Sequence, residues 1–262
     1  MASKISTSRS PGGRLLTIEQ IDDLPLSPIE HLEQLARGNA EAGYVLVTGD
    51  ALIKEGSGTL TVGFLLRPAV SPSRGGMLAV VGAVALARAI RRHSSHEPMI
   101  RWVSDVYAGK RRLAEVTTRA AISPDGGFRY VLVCLTLQIT SSYADRLGTV
   151  VQSVFSSHRT TATDRVAETL VNEFFSLYEG FATTDGTAFL DEYRELSLLR
   201  GKRIHYYKNG RRYRATVVGI DDDARLVVSP RRGKSVVLTS VTELHNPRRA
   251  RSAKTTPKLQ DK

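Results

Sequence analysis

Apolar positions change period along the chain, and each change marks an element. Residues 27–43, SPIEHLEQLARGNAEAG, place Ile29, Leu32, Leu35 and Ala36 at helical spacing and stop at Gly38, which predicts a short amphipathic helix. YVLVTG and TLTVGFLLRP are rich in β-branched and aliphatic residues and end in turn formers, so both read as strands. Residues 77–92 are apolar at 77, 78, 80, 81, 84, 86, 89 and 90, a face broad enough for a core helix. Strands are expected at 99–103, 112–121 and 128–140, with a turn at Gly109 and a hairpin turn at SPDGG. Two helices follow, near 163–181 and 186–199. Hairpins among irregularly alternating strands and helices predict an α+β fold with a mixed or mainly antiparallel sheet packed with helices.

From Gly201 the pattern shortens. KRIHYYKNGRRYRATVVGIDDDARLVVSPRRGKSVVLTSVTEL carries an Asn-Gly hairpin signal, an Asp-rich turn and several short β-branched runs, which predict a small β-barrel of about five strands. The expected organisation is a main domain over 15–199 and a barrel over 200–245. Two polar, apolar-poor tails, 1–14 and 246–262, read as disordered. The longest apolar run, 77–90, carries Arg88 and is shorter than the roughly 20 residues a bilayer span requires. With no apolar stretch after a basic start, the expectation is a cytoplasmic protein without membrane contact.

Charge sharpens this division. The net charge of +11 is unevenly placed: residues 1–14 carry +3, 200–234 carry eleven cations against Asp221, Asp222 and Asp223, and 246–262 carry six cations against Asp261. The remainder is mildly acidic, so the basic character belongs to the C-terminal region and the tails. The single cysteine, Cys134, excludes an internal disulfide and a cysteine-based zinc cluster, and its apolar neighbours suggest a buried thiol. The six histidines show no paired metal spacing.

Four segments in order, SPIEHLEQLARGNAEAG, GTLTVGFLLRP, IRWVSDVYAGKRRLAEV and VVGIDDDARLVV, resemble the biotin–protein ligase family, over residues 24–243. That family shares its catalytic fold with lipoate–protein ligases and adds a C-terminal SH3-like barrel. The resemblance implies ATP, Mg²⁺ and biotin as cofactors. It also implies a reaction in which biotin is activated as an acyl-adenylate and passed to a lysine of a biotin carboxyl carrier protein. Carried onto this chain, it makes Asp105 and Arg112 the catalytic candidates, with Asp105 also the metal ligand. Trp102, Ser27, Ser104 and Lys110 become the candidate cofactor-binding residues.

Each candidate also has a structural alternative: an N-cap for Ser27, packing for Trp102, a salt bridge for Asp105. The family's glycine- and arginine-rich loop corresponds to TGDALIKEGSG, which has no arginine. Its catalytic lysine becomes Arg112, and guanidinium and ammonium are not interchangeable at a tight site. Its next glycine becomes Glu115, and Val133 and Leu135 occupy glycine positions where added volume is expected to fill the pocket. Two functions therefore follow: a biotin ligase with a reduced site, or a pseudoenzyme acting through its basic barrel. In the second, KRIHYYKNGRRYR interleaves tyrosines with cations suited to nucleic acid or another polyanion.

Overall fold

The computed structural model describes residues 3–22, 24–49, 58–139, 161–184, 188–240 and Leu244. These form two compact units, Met1–Leu196 and Ser197–Lys262. In the first unit the elements run β1 (Ser3–Arg9), β2 (Leu15–Asp22), α1 (Pro28–Arg37), β3 (Tyr44–Gly49), β4 (Gly58–Leu66), α2 (Met77–His93), β5 (Met99–Arg101) and β6 (Asp105–Ala108). They continue with β7 (Arg111–Ile122), β8 (Phe128–Ile139), α3 (Thr161–Thr184) and α4 (Ala188–Glu195). Eight strands make one mixed sheet in the order β1-β2-β3-β4-β8-β7-β6-β5. Only β2 and β3 pair in parallel, because α1 carries the chain back between them; the other neighbours are antiparallel.

The two faces of the sheet bury different partners. Leu32 and Ala36 of α1 pack with Ile21, Leu46, Leu65, Leu132 and Cys134 on one face. Gly63 is what lets α1 come so close, since a Cβ there would meet Leu32 Cδ1 at 2.6 Å. On the opposite face the Phe64 ring stacks on Phe174 of α3 at 4.0 Å and meets Phe175 edge-on at 5.6 Å. The stretch Pro72–His93 is long and apolar enough to cross a membrane, yet 67% of it is buried inside the protein, as a core helix is. Arg88 of α2 bonds Glu192 of α4 at 2.7 Å and Glu173 of α3 at 3.3 Å, joining the three helices.

Several expectations require correction. Residues 3–9, expected as a disordered leader, form β1 along β2, a strand that the pattern reading did not predict either. Pairing with β2 holds one row of these backbone groups even though Ile5 is the only large apolar residue among them and is 63% exposed. The β1–β2 turn is fastened to α3, where Ser10 Oγ donates to Glu179 Oε1 at 2.5 Å. The strand expected over 99–103 stops at Arg101: Arg101 pairs with Asp105, so Trp102, Val103 and Ser104 form the turn between them. Val133 and Leu135 do not fill a pocket on the α1 face. Their alternation on β8 turns them to the other side, where Leu135 lies against Gly82 of α2; a Cβ on Gly82 would meet Leu135 Cδ2 at 2.7 Å.

In the second unit β9 (Arg203–Lys208), β10 (Arg211–Ile220), β11 (Leu226–Pro230) and β12 (Val236–Leu238) form an antiparallel sheet in the order β12-β11-β10-β9. The described residues thus give four strands where about five in a barrel were expected. Asn209 and Gly210 take φ of 51° and 73°, which only a turn of mirror-image hand uses, and so close the β9–β10 hairpin. Asp221 accepts from the backbone N–H of Asp223 at 3.0 Å and of Arg225 at 2.8 Å, which fixes the acidic turn.

Candidate ligand cavity and the neighbouring charged hairpin

A cavity of about 460 Å³ opens on the α1 face of the large sheet. Strand register builds its floor. Thr48 of β3 stands opposite Thr61 of β4, and Thr61 opposite Thr136 of β8. One step along, Cys134 of β8 stands opposite Thr117 of β7, and all five residues line the cavity. Thr61 and Thr136 share a hydrogen bond at 3.1 Å between their hydroxyls. The rim comes from the segment entering α1: Leu24, Leu26, Ser27, Pro28 and Ile29. The described lining is therefore uncharged, offering hydroxyl donors and acceptors below and aliphatic surface above.

Cys134 is buried at the base, and burial pushes its thiol up to about 12. A thiol so far from ionisation is a packing group and not a nucleophile at neutral pH. Ser27 does two things at once. Its N–H and Oγ both donate to Glu30 Oε2, at 3.2 and 2.6 Å, holding the first turn of α1 while its side of that turn edges the cavity. These bonds from Ser27 hold the Glu30 carboxyl below its ordinary range. The other end of the helix face is anchored from β7: Arg119 pairs with Glu33, and together with Arg37 it depresses the Glu33 carboxyl.

Asp105 and Arg112 come together, but on the β5–β6–β7 hairpin and outside the cavity lining. Arg112 Nη1 lies 2.8 Å from Glu115 Oε2 and 3.6 Å from Asp105 Oδ1, and all three side chains are roughly two-fifths exposed. The register shift in β6–β7 explains the meeting. Val106 pairs with Ala114 while Tyr107 pairs with Arg112, so Leu113 and Ala114 are both buried and Arg112 and Glu115 fall on one side. Ser104 donates to the Val116 carbonyl at 3.3 Å. Trp102 is buried, and Lys110 sits exposed in the turn before β7. The Tyr193 hydroxyl of α4 donates to the Val103 carbonyl at 2.6 Å and so holds the tryptophan turn in place. Residues 50–57, most of the TGDALIKEGSG segment at the position of the family's glycine- and arginine-rich loop, lie outside the described residues.

The arrangement was compared with known proteins. No protein-family model matches the chain, and no curated protein matches it by sequence. Solved structures do match. A biotin protein ligase-like protein of unknown function from Silicibacter sp. TM1040 superposes with a TM-score of 0.70 at 17% identity, covering 92% of this chain and 100% of that one. This chain has the biotin protein ligase fold. The biotin protein ligase of Aquifex aeolicus in complex with biotin and ATP superposes with a TM-score of 0.61 at 16% identity, over 84% of this chain and 95% of that one. A variant of the same enzyme in complex with biotin gives 0.60 at 16% identity, over 83% and 94%.

No cluster of three or more His, Cys, Asp or Glu placed to hold a metal occurs among the described residues. Asp105, the sequence candidate for Mg²⁺, already faces a guanidinium, and Arg112 is shared between two carboxylates. Two carboxylates around one guanidinium leave this group with a net negative charge, so as placed these residues do not offer the fixed positive charge that a nucleotide phosphate needs. Sequence reasoning missed the threonine floor. Its signal was present as Thr59 and Thr61, Thr117 and Thr136, but only pairing across three strands puts those residues on one surface.

Proposed function

We propose that this protein is a cytoplasmic ligand-binding member of the biotin-ligase fold that takes biotin, or a small molecule with a similarly uncharged polar head, in the α1-side cavity, and that it does not adenylate its ligand. One observation carries the reading: the described lining is hydroxyl-rich and neutral, while the cation at the family's lysine position is bound by Glu115 and Asp105 on the adjoining hairpin. Hydroxyls suit an amide- or urea-like group that both donates and accepts, and the aliphatic rim suits a hydrocarbon chain. Activation of a carboxylate by ATP, in contrast, demands positive charge fixed where phosphate charge develops.

A second reading, ATP-dependent transfer of biotin to a lysine of a biotin carboxyl carrier protein, is supported by the extent of fold shared with an enzyme bound to biotin and ATP. Isothermal titration calorimetry with biotin, paired with a pyrophosphate-release assay containing ATP and Mg²⁺, separates the two. The binding reading expects saturable heat without nucleotide, unchanged in Arg112→Ala, and no pyrophosphate. Pyrophosphate release that needs biotin and disappears in Arg112→Ala would establish adenylation, the first step of the ligase reading, and overturn the binding one.

A further inference from the structure

In the second unit, antiparallel pairing sorts charge in a way that the sequence order hides. On one face of the β9–β10 pair, Arg212 stands opposite Tyr207, Arg214 opposite His205, and Thr216 opposite Arg203. Arg203, Arg212, Arg214 and Thr216 are exposed, and Tyr207 and His205 are partly so. The opposite face is closed by the buried Tyr206, whose ring stacks on Tyr213 at 5.2 Å, together with the buried Ala215 and Val217. Neither strand contains a carboxylate. The three acids of this region, Asp221 to Asp223, sit in the turn at the far end of β10, where Arg225 pairs with Asp221 and Asp223 at 2.8 and 2.7 Å.

The end of the sheet away from those acids gathers more cations. Lys208 and Arg211 flank the Asn-Gly turn, and Pro230 pairs with Ala215, so that the exposed Arg231, Arg232 and Lys234 of the following loop lie toward the same end. Arg212 donates to His205 Nε2 at 2.8 Å, so the imidazole accepts there and is neutral. Burial first, and then Arg212 and Arg214, hold His205 below its ordinary value. The face thus alternates guanidinium groups with rings on two paired strands about 4.8 Å apart.

We infer that the β9–β10 face of the C-terminal sheet binds single-stranded nucleic acid, its arginines contacting phosphates and Tyr207 stacking on a base. Charge alone would accept any polyanion. The interleaved rings favour unpaired bases, because a base inside a duplex has both of its faces already stacked. No base edges need to be read for this, so the binding is tolerant of sequence and strongly dependent on salt.

The test uses the full chain and a fluorescein-labelled mixed-sequence oligonucleotide of roughly 15 nucleotides, followed by anisotropy between about 50 and 200 mM salt. The parent is expected to bind with an affinity that falls linearly on logarithmic axes. The triple variant Arg203→Gln, Arg212→Gln, Arg214→Gln should flatten that slope by about 2, at roughly 0.7 per lost phosphate contact. Tyr207→Ala should weaken binding about tenfold and leave the slope unchanged, and Arg212→Lys with Arg214→Lys should keep the slope. Lys4→Gln with Arg9→Gln, on β1, should change nothing, and circular dichroism confirms that each variant is folded. Three results would each overturn the inference: no binding at the lowest salt, a folded triple variant that binds like the parent, or a duplex of the same sequence that binds more tightly than the single strand.

Discussion

Cys134 sets two chemistries against each other: a thiol usually valued for reactivity is placed where it cannot ionise. Burial raises it from an ordinary 9.0 to about 12, so the folded protein holds that proton over a pH range in which the unfolded chain releases it. The sign follows from linkage. The stabilising effect is whole below pH 9 and is lost as pH climbs through that window, by about 1.4 kcal/mol per unit. Urea unfolding of the parent and of Cys134→Ala between pH 8 and 11 should therefore give stabilities that converge as pH rises. Thr136→Val tests the cavity floor at the same scale. It keeps the volume and removes one hydroxyl, so biotin affinity should fall about tenfold while stability changes by about 1 kcal/mol. Arg112→Ala should cost less than about 1 kcal/mol in thermal unfolding, because its ion pairs are exposed to solvent. Individual residues were also where sequence reading stopped short. The motif singled out Asp105 and Arg112 as candidates, but the bulge that hands Arg112 to Glu115 leaves no trace in the residue pattern.

Elements were easier to read than their partners. The periodicity of α1 and the Ser-Pro start gave the helix and its cap, and the structure adds the Glu30 bonds that close it. Ser27→Ala is expected to cost about 1 kcal/mol and to loosen the cavity rim, which ligand affinity and chemical denaturation measure together. The apolar breadth of residues 77–90 likewise announced a core helix, whereas the role of Arg88 inside it waited for the fold. That guanidinium is one-third exposed and serves Glu173 and Glu192 from two other helices. Arg88→Ala removes the cation that Glu173 and Glu192 share and leaves them to Arg92 and Arg91, and should destabilise the protein by about 1 kcal/mol in urea unfolding. β1 escaped the reading for the converse reason. A strand held chiefly by backbone bonds at a sheet edge needs little apolar pattern of its own, and SKISTSR has almost none.

For the whole molecule, separation into two units makes a direct prediction. A chain ending at Leu196 retains the entire eight-stranded sheet and its helices, so it should unfold in one cooperative urea transition, with a slope of about 1–3 kcal/mol/M or somewhat above. The sequence by itself determined the α+β class, the hairpins at SPDGG and Asn-Gly, the basic character of the C-terminal unit and the resemblance to biotin ligases. Each of these depends on local propensity, turn chemistry or the order of short motifs, all of which are written residue by residue. Only the tertiary structure decided which side chains meet. Strand register brought five residues from four strands to one cavity floor, turned Val133 and Leu135 to the opposite face, and set the arginines of β10 beside the rings of β9. Pairing across strands depends on alignment between distant segments, and a shift of one residue would exchange the two faces.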